Sequence, residues 1–227
     1  MQINQINGLV LRSTPYKSTN RIITLFTPES GIMTLFSPRI TQKNTALLSL
    51  TSPFCLATYH YKKGSSNLPR LIDGSIIDLH LNLRSSLPAL LCAGKILNAL
   101  LKTQMPGKKA TNLFNLCITY LTHLSKTSNP ETLWTSFALK LLKYEGLLDI
   151  QKTCTVCQKN AAKVITAGES QCSICSGNTP YLFSSFEWST LILLTHTRII
   201  SPLLNIDLTK QLTSKINTLF YSVLEIK

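Results

Sequence analysis

Residues 8–37 read GLVLRSTPYKSTNRIITLFTPESGIMTLFS, and their pattern decides the fold. Three short apolar runs, GLVLRS, RIITLFT and IMTLFS, are rich in β-branched and aromatic residues and bounded by turn residues, which predicts strands. Between the second and third lies PESG, where Pro28 suits the start of a turn and Gly31 a left-handed closing position. Apolar and polar residues alternate imperfectly, as on a small barrel whose outer face is only partly wet. Further along, FCLATYHYKK (54–63) and LPRLIDGSIID (68–78) make another strand pair around the turn GSSN. Five short strands within residues 1–80 predict a small barrel or sandwich. Strand order is not legible at this level.

From residue 88 the period changes from two to about 3.6. Leu90, Gly94, Leu97 and Leu101 share one helical face, with Ala93 and Leu100 beside it, and PGKK at 106–109 breaks the helix. Leu113, Cys117, Tyr120 and Leu124 form the stripe of a second helix. A third starts with Asn129 as N-cap and Pro130 at the first helical position, buries Trp134, Phe137, Leu141 and Leu142, and stops at Gly146. Helical periodicity returns in SSFEWSTLILLTH (184–196) and in a last helix from near Asp207 that buries Leu208, Leu212, Ile216, Leu219 and Val223. The expected class is α+β: a barrel or sandwich domain at 1–80, then a mostly helical domain at 81–227 with a cysteine-bearing insertion at 152–178.

That insertion holds CTVCQKNAAKVITAGESQCSIC, residues 154–175, with Cys154, Cys157, Cys172 and Cys175 in two C-x-x-C pairs. A two-residue spacer lets both sulfurs of a pair turn toward one point, and a short hairpin brings the second pair back. Four thiolates with no open position describe a closed, structural Zn²⁺ site. An iron–sulfur cluster takes the same ligands, whereas a thioredoxin-like redox site needs a single pair at a helix start. Cys55, Cys92 and Cys117 are scattered and read as small buried hydrophobes.

The chain has 227 residues, 44% hydrophobic and 15% charged, with a formal net charge of +13; disorder is excluded. Basic residues outnumber acidic ones by eight to three in 1–80, eight to three in 81–150 and seven to four in 151–227. A folded surface so biased attracts polyanions, nucleic acid first. No phosphate-loop or dinucleotide fingerprint is present, the ten acids form no paired catalytic setting, and the four histidines are isolated. Enzymatic chemistry is therefore not expected. No targeting segment or membrane span is read either, so a cytoplasmic location without membrane partners is expected. Small barrels bind nucleic acid with cations along a groove and aromatic rings under bases. The candidates are Arg12, Lys17, Arg21, Arg39, Lys43, Lys62, Lys63 and Arg70, with Tyr16, Tyr59 and Tyr61. Phe36 is interleaved with them too, and the alternative reading puts Phe36 and one of the tyrosines in the core. A zinc-ribbon protein associated with RNA or transcription would share these features.

Two segments carry a resemblance. The first is 8–37, with its strand ending in L-R-S, its Pro-Tyr loop, its strand starting at Arg21 and its T-P-E-S-G hairpin. The second is LLKYEGLLDIQKTCTVC, 141–157, where a helix end, a glycine and a Leu-rich link lead into the first cysteine pair. Both resemble RecO, the bacterial recombination mediator family. The resemblance implies an OB-type barrel followed by a helical domain with a zinc module. It further implies binding of single- and double-stranded DNA and annealing of complementary strands. The implied partners are RecR, the acidic C-terminal tail of single-strand-binding protein and, indirectly, RecA, which is loaded onto covered DNA. KSTN after Tyr16 and SPRITQKN after the third strand depart from the family's usual Gly-acidic and Gly-basic loops, which points to fewer DNA contacts there.

Overall fold

The computed structural model describes residues 2–38, 45–63, 68–177 and 181–225. By packing, the chain forms two compact units, 1–125 and 126–227. The change of sequence pattern near residue 80 is therefore not the packing boundary. Helices that begin after it still belong to the first unit.

The first unit is built on β1 (Ile3–Tyr16), β2 (Asn20–Thr27), β3 (Gly31–Ser37), β4 (Leu56–Lys62) and β5 (Arg70–Asp78), with a short helix α1 (Thr45–Leu50) before β4. The strands close into a barrel in the order β1-β2-β3-β5-β4, the arrangement expected of an OB-type fold. All neighbours are antiparallel except β3 and β5, which meet in parallel at Phe36 and Arg70. β1 is long enough to serve both β4 and β2 because a register shift between Val10 and Arg12 bends it. Val10, Ile23, Leu25, Leu35, Ala57, Tyr59 and Leu71 fill the interior, with Leu50 of α1 closing one side.

Gly31 is where the hairpin needs glycine. Its φ is +60°, and a Cβ there would collide with the carbonyl oxygens of Met105 and Lys108. The approach is that close because the 104–110 loop docks on the hairpin: Ile32 N–H donates to Met105 O at 3.2 Å, Gly107 N–H to Ser30 O at 2.8 Å, and Ala110 N–H to Pro28 O at 2.9 Å. The helices on either side of that loop are α2 (Leu87–Thr103), capped by Ser86, and α3 (Thr111–Leu124). In α2 the buried face is Ala89, Cys92, Ala93, Ile96, Leu97 and Leu100, rotated from the expected stripe, since Leu90 and Leu101 are only half-buried. Cys55, Cys92 and Cys117 are buried as expected, and burial holds the Cys117 thiol well above its usual range.

The second unit centres on α4 (Pro130–Tyr144). Asn129 is its N-cap residue, and the chain leaves the helix through Gly146 at φ +69°. The Asn129 side chain makes no cap bond and instead donates to Asp207 Oδ1 at 3.1 Å. A short hairpin, β6 (Val164–Thr166) and β7 (Glu169–Gln171), precedes α5 (Ser185–His196) and α6 (Lys210–Glu225). α5 and α6 both pack on α4. Trp134 meets Phe220 edge-on and donates its indole N–H to Asn217 Oδ1 at 2.8 Å, so a buried indole leaves no polar group unpaired. A capping box between Ser184 and Glu187 starts α5, and Glu187 also receives Lys215 of α6 at 3.1 Å. Among the described residues no helix is long and apolar enough to cross a membrane.

Candidate metal centre and nucleic-acid face

Two tight loops and a hairpin bring the four cysteines together. Cys154 O accepts from Gln158 N–H at 2.9 Å, and Cys172 O accepts from Cys175 and Ser176 N–H, each at 3.1 Å. Each C-x-x-C pair thereby turns back on itself. Between the pairs, Ala167 (φ +50°) and Gly168 (φ +84°) make the two-residue turn of the β6–β7 hairpin, both in the left-handed region that such a turn requires. Thr155 N–H to Ser170 O (2.8 Å) and Lys163 N–H to Gln171 O (2.9 Å) tie the first loop to the second. Trp188 of α5 donates to Gln151 O at 3.0 Å and anchors the segment to the helices.

The four Sγ atoms lie within 4.8 Å of one another, and those of Cys157 and Cys172 are 3.9 Å apart. A tetrahedral ion with bonds of about 2.3 Å places sulfurs about 3.8 Å apart, so the thiols fit such an ion. Backbone N–H groups prepare the charge. That of Cys157 does most to bring the Cys154 thiol down to about 6, against desolvation and helped by those of Cys172 and Val156. The N–H groups of Cys175 and Ile174 lower Cys172, whose sulfur also receives Asn160 Nδ2 at 3.7 Å. Cys175 is pushed up to about 12, chiefly by its bond to Cys172. Four thiolates so close repel one another unless a cation sits among them, and the set can hold a metal ion. Asn160 is a contact that the spacing of the cysteines could not reveal.

The barrel brings most of the predicted cations to one end. Register places Lys62 beside Arg70, Arg70 beside Phe36, Phe36 beside Ile22, and Ile22 beside Thr14. One step along the same outer face, Arg12 lies beside Thr24 and Thr24 beside Thr34. Tyr16, 44% exposed, ends this face on β1; its ring meets Phe36 edge-on with centroids 6.2 Å apart, and Lys17 Nζ stands 5.6 Å from its centroid. Lys63 and Arg70 are exposed at the strand ends. Arg21 has the opposite parity, at the barrel's mouth, and donates to Ser13 Oγ at 3.3 Å. Arg39 and Lys43 lie outside the described residues.

Two expectations are corrected. Tyr59 is fully buried, and its hydroxyl donates to Leu50 O at 3.0 Å; Tyr61, 9% exposed, belongs to the same core. Neither ring can stack on a base. They alternate with Thr58, His60 and Lys62 and share their face with Ala57, so the period of two already pointed them inward. Phe36, for which the core was the alternative reading, is half-exposed beside Tyr16.

Comparison with known proteins identifies the family. Residues 1–80 match the family described as Recombination protein O N terminal, and residues 84–186 match Recombination protein O C terminal. A DNA repair protein RecO of Chlamydia pneumoniae is 34% identical over 153 residues, which are 67% of this chain and 60% of that relative. One of Chlamydia muridarum is 26% identical over 226 residues, 96% of this chain and 94% of that relative. One of Bacillus pumilus is 26% identical over 177 residues, 77% of this chain and 69% of that relative. The aligned stretch thus spans less than two thirds of the length of the Chlamydia pneumoniae relative. With both of its family models matched in order along the chain, this chain belongs to the RecO family.

Proposed function

We propose that this chain is a DNA repair and homologous recombination mediator that works in the cytoplasm without catalysing a reaction. It binds single- and double-stranded DNA, anneals complementary strands and helps load RecA onto DNA covered by single-strand-binding protein. RecR and the acidic tail of single-strand-binding protein are its protein partners. One Zn²⁺ on Cys154, Cys157, Cys172 and Cys175 clips the hairpin of the second unit. That ion supplies folding free energy to a segment too polar to stand by apolar burial.

The outer barrel face with Arg12, Tyr16, Phe36, Arg70 and Lys62 carries this reading. Strands of a duplex repel through their phosphates. Cations on this face neutralise that charge and release counterions, which raises the local strand concentration. Tyr16 and Phe36 offer ring surface to unpaired bases, holding them open until a complement arrives. Lys17, Lys63 and Arg21 extend the positive field, and Arg39 and Lys43 are proposed as further DNA contacts on their charge alone. The strands 2–3 face and the loops after strands 1 and 4 are where OB-type barrels take oligonucleotides, and this cluster sits there.

Titration of a labelled single strand at rising salt tests the reading. Log affinity should fall linearly with log salt, with a slope of about −0.7 per phosphate neutralised. A flat response would exclude the electrostatic face.

A further inference from the structure

The metal centre has unequal sulfurs. Cys154 and Cys172 are buried, whereas Cys157 and Cys175 are partly open to solvent. Cys157 comes from the first loop and Cys172 from the second, and their Sγ atoms are 3.9 Å apart. The spacing of the two loops is also set by backbone bonds, Thr155 N–H to Ser170 O and Lys163 N–H to Gln171 O. A reagent that oxidises Cys157 therefore finds Cys172 beside it, held there by the chain itself.

We infer that the centre is an oxidative modification site, at which a peroxide joins Cys157 to Cys172 in a disulfide and expels the metal. This rests on reading the four cysteines as a metal site. The Cys157 thiolate attacks the peroxide, whose O–O bond breaks; the sulfur becomes a sulfenic acid and hydroxide leaves. The Cys172 thiolate then attacks that sulfur, forms the S–S bond and displaces a second hydroxide. Two thiolates have lost two electrons to one peroxide, which is reduced to two hydroxides. Cys154 and Cys175 remain, and two ligands no longer make a closed site, so the ion departs.

The bond replaces the metal's structural role. Like the ion it joins the first loop to the second, whereas a bond within either C-x-x-C pair would leave the loops unlinked. The hairpin passes between a metal-clipped and a disulfide-clipped form, and a dithiol reductant with free metal ion returns it: the dithiol gives two electrons to the protein disulfide, becomes a disulfide itself, and the freed thiolates take up the ion.

The experiment uses the full chain loaded with one equivalent of Zn²⁺, its metal content measured first. Hydrogen peroxide is added, metal release is followed with a chelating dye, remaining thiols are alkylated, and the disulfides are mapped by peptide mass spectrometry. The expected result is one Cys157–Cys172 bond per ion released, with dithiothreitol restoring metal binding. Cys175→Ser, which keeps both partners, should still form the bond, and Cys157→Ser should not. Metal release with a different pairing, or with sulfinic acids and no disulfide, would overturn the inference. A chain that takes up no metal would overturn the metal reading instead; the mapping would still decide whether Cys157 and Cys172 pair.

Discussion

Tyr16 and Phe36 touch ring edge to ring face across the ends of β1 and β3, with centroids 6.2 Å apart. The contact holds two aromatic surfaces at the rim of a basic barrel, where neither is needed to fill the core. Base stacking on such rings is worth about 1–3 kcal/mol per base. Tyr16→Ala and Phe36→Ala should each weaken single-strand binding by roughly 5- to 150-fold. Duplex binding should change much less, because its bases are already stacked. Fluorescence anisotropy on matched single- and double-stranded oligonucleotides checks this; equal losses on both would show that the rings only support the fold.

Tyr59 makes the complementary case. Its hydroxyl donates to Leu50 O from inside the barrel, with Cys55 O at 3.4 Å. Tyr59→Phe leaves those buried carbonyls without that donor and should cost about 1–2 kcal/mol in denaturant unfolding. DNA affinity should stay unchanged, and a loss of affinity at unchanged stability would place the ring on the binding face after all.

Much of this was legible in the sequence, and the misreadings have physical causes. Turn residues and short β-branched runs located the five strands, and Gly31 and Gly146 marked left-handed positions that the backbone adopts. The strand order was not legible, because closure depends on β3 meeting β5 in parallel through the single pair Phe36 and Arg70. Tyr59 and Tyr61 were misassigned because residue type outweighed alternation. The α2 stripe was centred slightly off: Ala93, Leu97 and Leu100 are buried as read, but small Ala89 and Cys92 with Ile96 complete the inward face, which Leu90 and Leu101 only half join. The cysteines were found by spacing alone, since four sulfurs around one point are a local matter. Their tie to Trp188, a long-range contact, was not.

Metal binding should be sensitive to acid in a defined direction. To ligate, Cys175 must give up a proton that its neighbours hold up to about 12, so the ion displaces that proton at neutral pH and affinity falls as pH falls. Cys154 is lowered from 9.0 to about 6; its ionisation favours the metal-free fold fully above pH 9, and that contribution is lost as pH falls through 6. Affinity should therefore fall from pH 8 to 6 and more steeply below about 6, where Cys154 also competes. Competition with a chromogenic chelator across this range measures it, and a pH-independent affinity would mean that the thiols are not the ligands.

The hairpin turn offers a stability test apart from the metal. Gly168 has φ +84°, and a Cβ there would collide with Leu147 O. Gly168→Ala should destabilise the second unit by more than about 1 kcal/mol. It should also detach the turn from Asp149, whose N–H donates to Gly168 O at 2.8 Å. Amide exchange at Asp149 should accelerate, and unchanged protection there would show that the turn tolerates the side chain.

The central claim is that a basic barrel face brings complementary strands together without chemistry. Its most direct measurement is fluorescence-monitored annealing of complementary oligonucleotides by the purified chain, without ATP, beside a variant carrying Arg12→Ala, Lys62→Ala and Arg70→Ala. The account predicts that the wild-type chain accelerates annealing, that salt suppresses the effect, and that the variant stays folded but loses most of it. Annealing at the spontaneous rate, or an equally active variant, would contradict it.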